Sequence, residues 1–259
     1  MSAVAGNLGI EHYEAINPTA SVKHAGKKLR YAVPNRTTLW RVETLFTKEP
    51  STIAWLSGFA ADSVFLDVGA NVGMYSVFAA IVPGARVFAF EPESQNYALL
   101  CKNIVQNSLS DRVVAFSAAL SDEEKFSKIH LSDFAVGGSC HSFDEAVDFN
   151  LQKKTFSFVQ GCYSTTIDKL VQTGVMPVPA NIKIDVDGFE HKVVAGARET
   201  LTDRTVQSLL IEINPKLDEH QWIITHLRSL GFDYDRAQVA EASRADGSFK
   251  GIGEYVFRR

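Results

Sequence analysis

The run Val64-Phe65-Leu66-Asp67-Val68, followed at once by Gly69-Ala70-Asn71-Val72-Gly73, constrains this chain more than any other feature. A short apolar run without polar alternation, interrupted only by Asp67, describes a strand buried on both faces, as in a parallel sheet covered by helices. The glycines describe a sharp turn into an apolar helix, Met74 to Ile81, which Pro83-Gly84 ends. The next strand, Arg86 to Phe90, closes on Glu91, about 20 residues beyond Gly69. A ligand held at the carboxyl edge of a parallel sheet needs this geometry: backbone that comes close, free N–H groups at a helix start, and an acid that accepts ribose hydroxyl protons.

The rest of the chain repeats the strand–helix alternation. Ser94 to Gln106 has helical spacing, and Val113 to Ala118, Ile182 to Val186 and Leu209 to Ile213 read as strands. Helices are predicted over Lys192 to Leu201 and Glu219 to Leu230. Terminal strands are predicted over Phe232 to Ala240 and Glu254 to Phe257, joined by a polar loop. Alternation of this kind implies βαβ units, and the two final strands imply one antiparallel edge member. Ahead of the domain, residues 1–50 read as a polar arm or cap, with a turn at Pro34-Asn35, an imperfectly alternating strand over Thr37 to Phe46, and a helix opened by Ser51 as N-cap. The domain itself spans 51–259. An insert at about 121–181 interrupts it, with Gly137-Gly138, a strand at Phe156 to Val159, and Thr165 and Asp168 spaced as a capping box.

Composition narrows the class. The chain has 259 residues, 46% apolar and 22% charged, with formal net charge −4; this is an ordinary globular balance, and the acidity does not suit a nucleic-acid binder. Three cysteines without a Cys-x-x-Cys spacing describe neither a disulfide framework nor a structural zinc site. No leader pattern and no membrane-length apolar run are legible, so a reduced, cytoplasmic protein is expected.

The identity of the nucleoside turns on Asn71. A dinucleotide loop places a glycine there so that a pyrophosphate lies against the backbone; here the spacing is Gly69-x-Asn71-x-Gly73. Asp67, before the loop, can engage an α-ammonium directly or through water. S-adenosylmethionine has that ammonium, a ribose and no phosphate, and it fits better than a nicotinamide coenzyme. Two further clusters lie at strand ends. In Ile182-Lys183-Ile184-Asp185-Val186-Asp187-Gly188-Phe189-Glu190-His191, the carboxylates can accept a proton from an attacking hydroxyl or hold a metal, while Asp187 and Glu190 can equally charge a helix start. In Leu210-Ile211-Glu212-Ile213-Asn214-Pro215, Glu212 and Asn214 can join Asp185 around a magnesium-type ion, or Glu212 can bind substrate hydroxyls. His141 is a candidate base or substrate contact, Arg41 and Glu49 are further polar candidates, and Cys140 lacks the paired base of a nucleophile.

The segments VFLDVGANVGMYS, FAFEPE, AALSD, STTIDKL, IKIDVDGFEHKVVAGA and LLIEIN, in that order, resemble the FkbM family of S-adenosylmethionine-dependent methyltransferases over about Phe46 to Asn214. The resemblance implies an α/β class I methyltransferase fold, Rossmann-like, with a seven-stranded mostly parallel sheet, and O-methylation of a hydroxyl on a sugar, glycan or polyketide-type small molecule. It implies that Gly69, Ala70, Asn71 and Gly73 line the donor, that Glu91 holds its ribose, and that Ser117 and Ala118 lie near the adenine; the family often has Asn where Ser117 stands. The family's usual Asp-Val-Glu-Gly reads Asp185-Val186-Asp187-Gly188 here. Asp185, Asp187 and Glu190 of the strand-end cluster, with His141, are the catalytic candidates. An oxidoreductase, a nucleic-acid methyltransferase and a non-catalytic binding module are the alternatives at this point. Acceptor and oligomeric state are not legible.

Overall fold

The computed structural model describes residues 9–259. After α1 (Ile10–Ala15), strands β1 (Thr19–His24) and β2 (Lys27–Ala32) form an antiparallel hairpin. Its turn is Ala25-Gly26, both at positive φ (48° and 76°), the conformation that matches the twist of a two-residue hairpin. Leu29 and Tyr31 are fully buried beneath it. Of the arm or cap expected there, the hairpin residues form a packed cap: alternation in Lys28-Leu29-Arg30-Tyr31 sends every second side chain inward.

The segment expected as a strand over Thr37 to Phe46 is helix α2 (Arg36–Glu43). Asn35 and Thr38 cap it reciprocally, and Thr38, Val42 and Leu45 are buried at helical spacing. Helix α3 (Pro50–Ser57) starts two residues earlier than a Ser51 cap allows, because Pro50 occupies the first turn and Glu49 is the cap position.

The central sheet is built from β3 (Val64–Val68), β4 (Arg86–Phe90) and β5 (Val113–Phe116), with α4 (Met74–Ile81) and α5 (Ser94–Gln106) between them. The insert supplies β6 (Ala119–Leu120), β7 (Lys125–Leu131), β8 (Ser142–Phe143) and β9 (Phe158–Thr165), a separate four-stranded sheet in the order β6-β9-β7-β8. Helix α6 (Ile167–Gln172) follows, capped by Thr166; Asp168 accepts instead from the Glu199 and Thr200 amides, so the Thr165/Asp168 box does not form. Then come β10 (Asn181–Ile184), α7 (Glu190–Ala195), a 3-10 turn at Thr200–Thr202, β11 (Ser208–Ile213), α8 (Asp218–Ser229), β12 (Asp233–Tyr234), α9 (Arg236–Ala242) and β13 (Gly253–Arg258). The long strand expected from Phe232 shrinks to two residues because Asp235 caps α9.

The central sheet has seven strands in the order β12-β13-β11-β10-β3-β4-β5. Only β13 runs antiparallel to its neighbours, and it lies one place in from the edge, covered by β12. This is the class I methyltransferase sheet, Rossmann-like in its parallel half. Period-two alternation feeds two cores, one on each face: Phe65 and Leu210 pack on the side of α4, α5 and the hairpin, while Leu66, Val68, Leu209 and Ile211 pack against α7 and α8. The chain leaves β3 toward β4 on one side and returns to β10 on the other, so the carboxyl ends of β3 and β10 flank a switch point, where open α/β sheets bind ligands.

Candidate active site

A cavity of about 310 Å³ opens at that switch point. Its floor is the turn after β3. Gly69 has φ +77, and a Cβ there would lie 2.0 Å from the Asp185 carbonyl oxygen, so no other residue fits beside β10. Asn71 adopts φ +50, which its short amide side chain tolerates, and its backbone N–H donates to Glu91 at 2.7 Å. Glu91, at the tip of β4, is 6% exposed; its other oxygen accepts the Glu93 amide at 2.8 Å. Burial pushes its carboxyl up to about 7 against the pull of these two amides. Each oxygen keeps a lone pair for a ligand hydroxyl. Beyond Glu91 the wall becomes apolar, with Phe90, Ala118, Leu120, Ile129 and Phe143, a surface suited to a flat ring.

The opposite wall is the loop after β10. Lys183 is buried (2% exposed) and bonds Asp185 at 2.9 Å. Burial works to raise Asp185, but Lys183 outweighs it and holds the carboxyl below the usual range. Asp187, at φ +57, is pushed up to about 7 by burial and by the neighbouring Asp185 charge. It accepts the Cys140 amide through Oδ2 at 2.7 Å and, among the described residues, makes no ion pair. Glu212 bonds Arg244 at 2.8 Å, and burial with Asp185 pushes it well above the carboxylate range. Arg244 sits between Glu212, Glu254 and Glu49.

A strap of the insert, Val136 to Cys140, roofs the cavity. Side chains from separate elements fasten it: Asn35 to the Val136 carbonyl, Arg41 to the Gly137 carbonyl, Asn71 and Asn96 to the Gly138 carbonyl, and Asp187 to the Cys140 amide. His141 follows in the cavity wall. Its Nδ1 accepts the Ser132 amide at 3.2 Å, its Nε2 is buried without a partner, and burial holds the ring below its usual pKa.

A family model described as the methyltransferase FkbM domain matches residues 67–234. The chain belongs to the FkbM methyltransferase family. Relatives of similar sequence include the hexuronic acid methyltransferase AglP of Haloferax volcanii, 26% identical over 208 residues, spanning 79% of this chain and 78% of that protein. The 31-O-demethyl-FK506 methyltransferase FkbM of Streptomyces tacrolimicus is 27% identical over 191 residues, spanning 65% and 72%. Among solved structures, a methyltransferase FkbM from Methylobacillus flagellatus is 14% identical with a TM-score of 0.46, over 88% of this chain and 56% of that one. M. jannaschii TYW2 in complex with AdoMet is 13% identical with a TM-score of 0.48, over 94% and 88%. FkbM membership removes the oxidoreductase alternative. Among the described residues no helix is long and apolar enough to cross a membrane.

Of the donor and catalytic candidates in this FkbM-family sequence, Gly69, Asn71, Glu91, His141, Asp185 and Asp187 line the cavity, as do Arg41, Glu49, Ala118, Cys140 and Glu212. Five of the donor and catalytic candidates do not. Asp67 is buried under the turn, where one oxygen accepts from Ser76 at 2.6 Å and the other has no partner. Gly73 starts α4 at φ +80, packed against Leu100. Ser117 lies outside the wall, which begins at Ala118. Glu190 is fully buried and accepts the Val186 and Gly188 amides, closing its own loop. Ala70 reaches only a smaller side pocket. The magnesium-type site is not supported as the side chains stand. Oxygens of Asp185, Glu190 and Glu212 lie within 4.8 Å of one another, but they are committed to Lys183, to loop amides and to Arg244. Asn214, the other ligand considered, bonds Asn150 and the Lys216 amide. No step is derived through a metal. Lys183 and Arg244 were not singled out. Lys183 had a signal, a lone charge inside a buried strand; Arg244 had none, since its polar loop meets the site only when β13 closes the sheet.

Proposed function

We propose that the chain transfers a methyl group from S-adenosylmethionine to a hydroxyl oxygen of a sugar, glycan or polyketide-type small molecule. The observation that carries this reading is Glu91: a buried carboxylate in the wall of a sheet-edge cavity, held by two backbone amides and with lone pairs to spare, beside a glycine turn without room for a Cβ. That arrangement fits an adenosine ribose and the apolar wall fits its base. The Asn71 side chain, engaged with the strap, stands where a dinucleotide loop needs bare backbone. The substrates named for AglP and FkbM support a hydroxylated acceptor.

When bound, S-adenosylmethionine supplies a methyl carried on a sulfonium, and transfer exchanges a carbon–sulfur bond for a carbon–oxygen bond. The protein's part is alignment and proton removal. Asp185, kept ionised by Lys183, is a weak base and serves as a fixed negative charge. Asp187 matches the proton-acceptor role better: it lies in the cavity wall, is oriented through Oδ2 by the Cys140 amide, and titrates near neutrality. The test is incubation with methyl-labelled S-adenosylmethionine and a panel of sugars, uronic acids and polyketide alcohols. Label in an ether-linked product supports the reading; label transferred only to amines or to nucleic acid overturns it.

A further inference from the structure

The loop that carries Asp187 is held from behind by a buried histidine outside the cavity wall. His220, in the first turn of α8, is 2% exposed. Its Nδ1 accepts the Asn214 amide at 2.9 Å, so Nε2 carries the ring proton. That nitrogen lies 3.2 Å from the Glu190 carboxylate and 3.3 Å from the Gly188 carbonyl. We propose that His220 is a positioning residue for methyl transfer: through Glu190 and Gly188 it fixes the loop that presents Asp187 to the cavity. The inference rests on the assignment of Asp187 as proton acceptor.

The loop needs such a hold. Asp187 lies at φ +57 and Gly188 at φ +114. A left-handed non-glycine residue costs about 1–3 kcal/mol and persists only where its surroundings over-determine it. Here the surroundings are Glu190 and His220. Glu190 is fully buried and accepts the Val186 amide through Oε1 at 2.8 Å and the Gly188 amide through Oε2 at 3.0 Å, so its two oxygens bracket Asp187. Among the described residues, His220 is the one side chain that bonds Glu190. Without that donor a buried carboxylate takes up a proton or admits water, and its charge-assisted grip on both amides weakens. Gly188 is clasped at both ends of its peptide backbone, its N–H by Glu190 and its carbonyl by His220. His220 is anchored in turn by Asn214, which follows β11 next but one to Glu212 of the cavity wall. An apolar side chain would fill the same space; a ring with both nitrogens engaged joins the ends of β10 and β11 in one register. The groups facing His220 are Glu190 and His191 on α7 and Glu219 on α8. Those facing Asp187 are Asp185, Glu190 and Cys140, with Glu91 and Glu212 across the cavity. Burial and like charges hold Asp187 high, so a loosened loop, or a protonated Glu190, lowers it.

Two variants separate the contacts of the ring. His220→Asn keeps an acceptor near the Nδ1 position and does not reach Glu190; His220→Gln keeps a donor near the Nε2 position. The readout is carbon-13 titration of the Asp187 carboxyl in the full chain, assigned by its absence from Asp187→Asn. It needs no acceptor and decides by itself. The wild type is expected to titrate at about 7. His220→Asn is expected to bring that titration below about 6, and His220→Gln to restore it. With an acceptor that the wild type methylates, His220→Asn should lower kcat by about 10–100-fold, with S-adenosylhomocysteine affinity by calorimetry within about twofold. An unmoved titration in His220→Asn, or a His220→Gln as impaired as His220→Asn, overturns the inference. Loss of S-adenosylhomocysteine binding in either variant gives His220 a role in the fold alone and overturns it as well. Full turnover by Asp187→Asn, or a wild-type Asp187 that titrates at about 4, removes the proton-acceptor assignment and this inference with it. An inactive Asp187→Asn beside a wild-type-like His220→Asn removes this inference alone.

Discussion

Asp185 and Asp187 stand two positions apart and are perturbed in opposite directions, one held down by a buried lysine and the other pushed up to about 7. The pair therefore divides into a permanent charge and a titrating group. Asp187→Asn is expected to lower kcat by about 10²–10⁴ with donor affinity retained. In the wild type the rate is expected to rise as pH passes about 7, because the acceptor must be ionised; the variant should lack that rise. Undiminished turnover would exclude Asp187 as the base. Gly69→Ala places a Cβ 2.0 Å from a backbone oxygen and at φ +77, so we expect it to abolish calorimetric donor binding and to cost about 1–3 kcal/mol in strain. Gly69 and Glu91 were legible because spacing and strand ends define them. Asp67 was not: alternation along β3 turns it to the α4 face, where it meets Ser76, and a motif does not say which face the ligand uses. Glu190 was ambiguous for a related reason, since an acid in a first helical turn can face the ligand or curl back onto its own loop.

The buried strands and the helices between them were readable because each carries its own period. The elements misread are those whose signal is short or mixed. For α2, the Asn35–Thr38 cap outweighed an irregular alternation, and for β1–β2 the exposed lysines masked an inward row of Leu29 and Tyr31. That hairpin is structural: the Tyr31 hydroxyl donates to the Met74 carbonyl at 3.0 Å, and the Ala32 amide donates to Asn103 at 2.8 Å. Tyr31→Ala is expected to lower unfolding free energy by about 3–5 kcal/mol, read from urea denaturation. A loss below about 1 kcal/mol would show the hairpin to be dispensable packing. The insert sheet was invisible as a sheet, because pairing of β6 with β9 and of β7 with β8 is set by contacts distant in sequence.

At the scale of the molecule, the raised carboxyls make stability depend on pH in an uncommon sense. Glu91 and Asp187 titrate near 7 when folded and about 4 when unfolded. Between those values the native state binds more protons than the unfolded chain, so stability falls as pH rises through the window. The lowered groups, Glu49 and Asp185, act in the opposite sense, but only on acidification below about 4. We expect a lower urea midpoint at about pH 8 than at about pH 5, and a flatter profile when Glu91→Gln and Asp187→Asn are combined; an unchanged slope in the double variant would assign the effect elsewhere. The Val136 to Cys140 roof carries the last consequence. It is tied to Asn71 in the turn after β3 and to Asp187 in the loop after β10, so one length of backbone is fastened to both walls of the cavity. On the proposed reading, any movement of this strap that let a spent nucleoside leave would also take the Cys140 amide away from Asp187, so exit and proton removal would share one anchor.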